Sequence, residues 1–169
     1  MLHRNGGIYI ALGANLPSRF GTPRETLEAV LDLFASQDIT VLRRSSWWRS
    51  AAQPSGDQPD FVNAVVEVAA RLEPRSLLMR LHDLEARFGR VRRDRWEARV
   101  LDLDLIDYQG RQSAPAEEPP VLPHSRLRER LFVLLPLQEV APDWRHPADG
   151  RAIGDLIAGA NPMEISRLC

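Results

Sequence analysis

The sequence predicts an α+β fold, and three observations carry that reading. Residues 22–35 and 74–88 place apolar side chains at helical spacing. Residues 39–48, 61–70 and the stretch from Val100 to Ile106 instead alternate with a period of two and are rich in branched residues. The two kinds of segment are interleaved along 169 residues, a length that suits one domain spanning 1–169.

Taken in order, residues 7–12 read as a short buried strand ending at the turn Gly13-Ala14-Asn15. Thr22-Pro23-Arg24-Glu25 is a capping box: the threonine hydroxyl and the glutamate carboxylate each accept a backbone N–H from the other's residue, and proline suits the first helical position. Leu27, Val30, Leu31 and Phe34 follow on one face, so an amphipathic helix is predicted to about residue 35. Residues 39–48 form the second strand, and Pro54, Ser55, Gly56 and Pro59 mark 49–59 as loop. In residues 61–70 the alternation separates two unlike faces. Val62, Ala64, Val66 and Val68 make one uniformly apolar, while the other carries Phe61, Asn63, Val65 and Glu67. Phe61 and Asn63 therefore stand together, away from the core-like face.

The second helix carries Leu77, Leu81, Leu84 and Phe88 on its stripe and is stopped by Gly89. A strand from Val100 follows and ends near Asp107-Tyr108-Gln109-Gly110. Strand, helix, strand, strand, helix, strand is the split βαβ order of ferredoxin-like folds, so the core is predicted as ferredoxin-like βαββαβ with a C-terminal strand/helix extension. In that extension, four prolines make 113–123 a loop. Residues 132–140 are predicted as a short helix broken near Pro136, 144–150 as turns, and 153–160 as a last short helix. From Asn161 onward no signal is legible.

The chemistry concentrates on the strand after Val100. Leu101, Leu103 and Leu105 line one side, and Asp102 and Asp104 stand together on the other. Adjacent carboxylates raise each other's pKa unless a cation neutralises them. They are hard oxygen ligands at a spacing that suits Mg²⁺, which completes its shell with water and phosphate oxygens. Just upstream stand Arg87, Arg90, Arg92, Arg93, Arg95 and Arg99, against only Asp94 and Glu97. Guanidinium forks match phosphate oxygens bidentately. Together the pair and the cluster suit a polyphosphate ligand; the competing reading is an amphipathic strand after a solvated basic loop.

Composition narrows the classes. A net charge of −1 argues against a general polyanion binder, so the basic run is local. Cys169 is the only cysteine and the last residue, which excludes an internal disulfide framework and a cysteine-built zinc site. The apolar stretch Ile8 to Leu12 is too short for a signal peptide, and no run approaches a membrane span, so a cytoplasmic protein with no membrane partner is expected. All 22 basic residues are arginine. Without lysine there is no Walker A loop, no protein-kinase β3 lysine and no Schiff-base chemistry, and the dinucleotide glycine fingerprint is absent as well.

Five motifs now fall in order: Tyr9-Ile10-Ala11-Leu12-Gly13-Ala14-Asn15-Leu16, Asp57-Gln58-Pro59-Asp60-Phe61-Val62-Asn63, Gly89-Arg90-Val91-Arg92, Arg99-Val100-Leu101-Asp102-Leu103-Asp104, and Pro123-His124 followed by Arg130 and Phe132. In these the sequence resembles the 6-hydroxymethyl-7,8-dihydropterin pyrophosphokinase family of the folate pathway, from about Ile8 to Pro147. The resemblance implies transfer of diphosphate from ATP to the hydroxymethyl group of the reduced pterin, with AMP as the other product. It implies two Mg²⁺ held by Asp102 and Asp104, and Arg90 and Arg99 clamping the transferring phosphates. Arg92, Arg130 and His124 would also reach the triphosphate. Asn63 would pair with the pterin edge and Phe61 and Phe132 would sandwich its ring. Ser50 and Ala51 would add backbone contacts, and Trp96 would arrive on a closing loop.

A flat π-system with a donor–acceptor edge is well read by stacking plus one amide, which agrees with those roles. The expected partners are ATP and the reduced pterin, with no nucleic acid. The protein is expected to be a monomer, with association to a neighbouring folate-pathway enzyme as a further expectation. His3, His82 and His146 are expected to be structural or surface residues, and Glu85 to orient an arginine. The runner-up is an RNA-binding module, because ferredoxin-like sheets include base-stacking RRM domains, although the RNP1 pattern is absent.

Three positions depart from the family. Pro119 stands where an arginine near the adenine is common, Ser125 where tyrosine or proline is common, and Glu97 where glycine is usual. Glu97 is expected to compete with ATP for Arg92, Arg93 or Arg95 of the closing loop. Glu97→Gly should then tighten ATP binding modestly, and Glu97→Gln should recover part of the gain, of order ~0–1 kcal/mol, shrinking as salt rises. Unchanged ATP affinity in Glu97→Gln at low salt would show that the charge is idle.

Overall fold

The computed structural model describes residues 6–52, 57–89, 100–115 and 117–169. The elements are β1 (Ile8–Ala14), α1 (Pro23–Phe34), β2 (Ile39–Arg44), β3 (Trp48–Ser50), β4 (Phe61–Ala70), α2 (Pro74–Arg87), β5 (Asp102–Tyr108), α3 (Leu131–Val140), α4 (Ile153–Gly159) and β6 (Ile165–Arg167). The sheet runs β5-β1-β4-β3-β6, with β2 also paired to β4, and every pairing is antiparallel. Each helical crossover of the core skips one strand, which is the split βαβ topology expected from the sequence.

Period-two alternation gives this sheet two apolar faces. Ile8, Ile10, Leu12, Ala64, Val66, Val68, Leu103 and Leu105 pack under Leu27, Val30 and Phe34 of α1 and Leu77, Leu81 and Leu84 of α2. Tyr9, Ala11, Val65 and Ile106 face the other way, against Val133, Leu134, Leu137 and Val140 of α3, with Trp144, Ile153 and Leu156 behind. The C-terminal extension thus covers the face that a bare ferredoxin-like unit exposes. At the start of α1 both halves of the capping box form: Glu25 N–H donates to the Thr22 hydroxyl at 3.2 Å and Thr22 N–H to the Glu25 carboxylate at 2.7 Å. Among the described residues no helix is long and apolar enough to cross a membrane.

Five sequence expectations are corrected. Gly13 and Ala14 belong to β1 rather than to a turn, because both are paired to β4. The strand predicted over 39–48 is two strands separated by Ser45, Ser46 and Trp47. At the break, Ser45 N–H donates to the Val65 carbonyl at 2.9 Å and the Val65 N–H donates to the Ser45 hydroxyl at 3.0 Å, so a side chain replaces one rung of the ladder. The chain then resumes as β3, which places Arg49 and Ser50 in the sheet instead of in the following loop. Helix α3 runs through Pro136 unbroken. The proline removes one backbone bond, and its buried position among the apolar residues of α3 offsets that loss. Finally, the unread tail contains β6, a three-residue edge strand on β3, too short to show periodicity of its own.

Strand β5 carries a bulge. Leu105 pairs with Ile10 and Asp107 with Tyr9, so Ile106 is the extra residue. The shift turns Asp107 toward Trp144, whose indole N–H donates to Asp107 Oδ2 at 2.8 Å, while Gly110 N–H donates to Oδ1 at 3.0 Å. Asp107 is fully buried, and burial pushes its carboxyl above the ordinary value near 3.8 despite these donors. A carboxyl raised in the folded state contributes stability that is complete below its unfolded pKa and is lost as pH rises through the folded one. Asp107→Ala should cost ~2–3 kcal/mol by leaving the Trp144 and Gly110 donors unpaired. The gap between wild type and variant in urea midpoints should narrow from pH 4 to pH 7; a gap that widens would contradict the buried-acid account.

Candidate active site

Four strands meet in one register to build the site. Asp102 of β5 lies opposite Gly13 of β1, Gly13 opposite Asn63 of β4, and Asn63 opposite Trp48 of β3. One step along, Asp104 pairs with Ala11 and Ala11 with Val65; a step the other way, Phe61 pairs with Ser50. Directly paired residues share a face, so the carboxylates, the amide and the phenyl ring all project toward the side covered by α3. They line a cavity of ≈ 240 Å³, together with Ser50, Ala51, Arg130 and Phe132.

Gly13 is the gap in that row. A Cβ there would come within 3.3 Å of Asn63 Oδ1 and 3.9 Å of the Phe61 ring, so the missing side chain leaves room for both. Asn63 is almost fully buried, and its Nδ2 donates to the Ser50 hydroxyl at 2.8 Å. Ser50 therefore enters through its side chain as an orienting group for Asn63. Phe61 begins β4 and Phe132 sits in the first turn of α3; both are half-buried on the cavity.

The opposite end is charged. Arg130 Nη1 lies 3.3 Å from Asp104 Oδ2, and the Arg130 guanidinium also lies 5.6 Å from the Phe132 ring centre. His124 approaches Asp104 from the other side, with Nε2 at 3.9 Å from Oδ1. Its backbone is fixed by the β5 bulge, since His124 N–H donates to the Ile106 carbonyl at 2.9 Å. Its Nδ1 accepts the Arg126 N–H at 3.2 Å, which puts the ring proton on Nε2, toward Asp104. Burial first, then the Arg130 and Arg126 charges, push the imidazole down to about 4, against the opposing pull of Asp102. The His124–Asp104 approach is therefore a neutral-ring contact near pH 7, not an ion pair.

Among the described residues no three His, Cys, Asp or Glu side chains converge as a metal cluster. Asp102 and Asp104 stand as a carboxylate pair, a donor set that leaves most of a hard cation's shell to phosphate and water. Behind β5, the buried carboxylate of Glu85 accepts the Leu103 N–H at 3.4 Å and so braces the strand that carries the pair. Arg90, Arg92, Trp96 and Arg99, with Arg93, Arg95 and Glu97, lie outside the described residues. His146 is buried beside Arg128 and Asp149, away from the cavity, as a structural residue. Pro119 lines a separate surface hollow with Arg75 and Glu118.

The sequence reading missed several lining residues: Gln58, Arg126, Glu129, and Asn161, Pro162 and Met163 of the tail. Gln58 was within reach of it, because Asn15 Nδ2 donates to Gln58 Oε1 at 3.3 Å and to the Pro59 carbonyl at 3.2 Å, tying two of the quoted motifs together.

Residues 9–142 match the family pattern of 7,8-dihydro-6-hydroxymethylpterin-pyrophosphokinase (HPPK). The chain is 41% identical to the 2-amino-4-hydroxy-6-hydroxymethyldihydropteridine pyrophosphokinase of a Synechocystis strain over 152 residues, covering 89% of this chain and 74% of the relative. It is 38% identical to the Methylorubrum extorquens enzyme of the same name, covering 95% of this chain and 97% of that one. The Pseudomonas aeruginosa enzyme is 40% identical, with coverages of 95% and 96%. In three dimensions the chain resembles the Plasmodium falciparum HPPK-DHPS structures, for example at TM-score 0.68 and 12% identity, a likeness of fold. That match covers 94% of this chain but 46% of the solved one, so the chain spans under half its length. The chain belongs to the 7,8-dihydro-6-hydroxymethylpterin-pyrophosphokinase family.

Proposed function

We propose that this chain is an ATP-dependent pyrophosphokinase that moves the β,γ-diphosphate of ATP to the hydroxymethyl group of 6-hydroxymethyl-7,8-dihydropterin, giving AMP and the pterin diphosphate in folate biosynthesis. Its family membership and named relatives support that activity. The observation that carries the residue assignment is the polarity of one cavity: Asn63 and Phe61 stand on β4, Asp102 and Asp104 on β5 across β1, and Phe132 and Arg130 lie 5.6 Å apart on the same cavity. A flat, edge-polar ring and a polyphosphate need those two environments side by side.

Each residue then has a physical task. Phe61 and Phe132 supply faces for the pteridine ring, and Asn63, held by Ser50, presents its amide to the ring edge. Ala51 lies beside them on the cavity wall. Asp102 and Asp104 fit Mg²⁺, because they are two hard oxygen donors on one strand face with a cation, Arg130, already drawn to one of them. When bound there, two Mg²⁺ ions would neutralise the phosphates and polarise the phosphorus under attack. Arg130 and His124 flank Asp104, which supports assigning them to the triphosphate. Arg90, Arg92 and Arg99 are assigned to the same task from the family motifs, and Trp96 to a loop that closes on the pterin. Alignment of the hydroxyl and neutralisation of charge carry the transfer, so no strong protein base is needed.

The RNA-binding alternative is disfavoured by the fold. An RRM leaves its sheet face open for bases, whereas here α3 covers much of it, with α4 packed behind. A cytoplasmic, monomeric protein is proposed. Association with a neighbouring folate-pathway enzyme is proposed with it, with the longer HPPK-DHPS chains of Plasmodium falciparum as support.

The test is AMP formation from ATP with and without the hydroxymethyl pterin. The rate should require both the pterin and Mg²⁺. Asp102→Asn and Asp104→Asn should each lower it by orders of magnitude with the thermal midpoint little changed. Near-wild-type turnover in either variant at ordinary Mg²⁺ would sink the metal assignment. In direct binding, Asn63→Ala and Phe61→Ala should weaken the pterin by ~1–3 kcal/mol, about ten- to a hundredfold, and ATP less. Equal losses for both ligands would assign that face a structural role instead.

A further inference from the structure

The tail that the sequence left unread forms part of the cavity wall. Asn161, Pro162 and Met163 line it, yet they lie beyond residue 142, where the family match ends. They are brought there by β6. Ser50 pairs with Ile165 and Trp48 with Arg167, and Ala51 N–H donates to the Glu164 carbonyl at 3.1 Å, carrying the pairing to the residue next to Met163. Leu168 N–H closes the other end on the Trp47 carbonyl at 2.8 Å. The tail therefore abuts Ser50 and Ala51, at the end of the cavity that holds Asn63 and Phe61.

A three-residue edge strand holds weakly by its ladder alone. Here a single carboxylate reinforces it. Glu139 of α3 accepts the Trp48 indole N–H on Oε1 at 2.5 Å and the Ser46 N–H and hydroxyl on Oε2 at 3.2 and 2.8 Å. Arg167 of β6 lies 3.9 Å from Glu139 Oε1 and stacks over the Trp48 ring at 5.2 Å. One side chain thus joins the helix that begins near Phe132, the strand that carries Ser50, and the strand that delivers Met163.

We propose that residues 161–163 are the outer wall of the pterin end of the cavity, with Met163 in contact with the bound pteridine, and that Glu139 is the positioning residue that fixes this wall. The proposal rests on the functional reading above. Met163 is half-buried on the cavity, and a thioether adapts to the rim of a flat ring. Because this wall is separate from the carboxylate end, it acts on the pterin and not on ATP.

The experiment titrates hydroxymethyl pterin into the full chain with Mg²⁺ and a non-hydrolysable ATP analogue, and titrates the analogue separately. Met163→Ala should raise the pterin Kd about tenfold and move the analogue Kd by less than about twofold, and Met163→Leu should recover most of the loss. In turnover, Glu139→Ala should raise the pterin KM while kcat and the ATP KM hold, with Glu139→Gln intermediate because it keeps an acceptor for Trp48 and Ser46. Should Glu139→Ala fail to fold, the Met163 variants, at a half-exposed position, decide the matter. An unchanged pterin Kd in Met163→Ala, or parallel loss of both ligands, would overturn the proposal. Wild-type protein that binds no pterin would overturn the functional reading itself, a separate outcome.

Discussion

Gly13 lies between Asp102 and Asn63 because β1 pairs with β4 on one side and β5 on the other, in a shared antiparallel register. The common face of Asp102, Asp104, Asn63 and Phe61 depends on that pairing. A slip of one residue in either ladder would turn Asp102 and Asp104, or Asn63 and Phe61, into the apolar layer under α1 and α2. The register is therefore locked by burial: the same alternation that hides Leu103 and Leu105 presents the carboxylates to the cavity. Glu85 reinforces the lock from behind by accepting the Leu103 N–H.

Two carboxylates on adjacent same-face positions of one strand are electrostatically costly, and the surroundings show how the cost is offset. Arg130 sits against Asp104, and His124 is held nearby as a neutral ring by burial and by Arg130 itself. The bulge at Ile106 makes this arrangement possible, because its carbonyl anchors the His124 backbone beside the strand. The same irregularity turns Asp107 to Trp144, so one inserted residue serves both the packing of the second face and the charged end of the cavity.

Much of this was legible in the sequence because it is local. The capping box at Thr22, the leucine stripe of α2, the two unlike faces of β4 and the carboxylate pair each need only a few neighbouring residues to be read. What was not legible depends on partners far along the chain. Ser45 interrupts a well-alternating strand because its hydroxyl takes the place of a rung facing Val65. Pro136 stays helical inside a buried apolar segment, where tertiary packing outweighs its local preference. Strand β6 exists only as an addition to the β3 edge, and Met163 reaches the cavity only through it. Gly13 looked like a turn residue, whereas its meaning is the space it leaves for Asn63.

The central claim is that sheet register places a ring-binding end and a phosphate-binding end in one cavity. It is tested most directly by the structure of the chain with a non-hydrolysable ATP analogue, Mg²⁺ and hydroxymethyl pterin. The account predicts the pteridine between Phe61 and Phe132 with its edge on Asn63, and the metals on both Asp102 and Asp104 against the phosphates. A pteridine bound elsewhere, or metals that touch neither strand carboxylate, would contradict it.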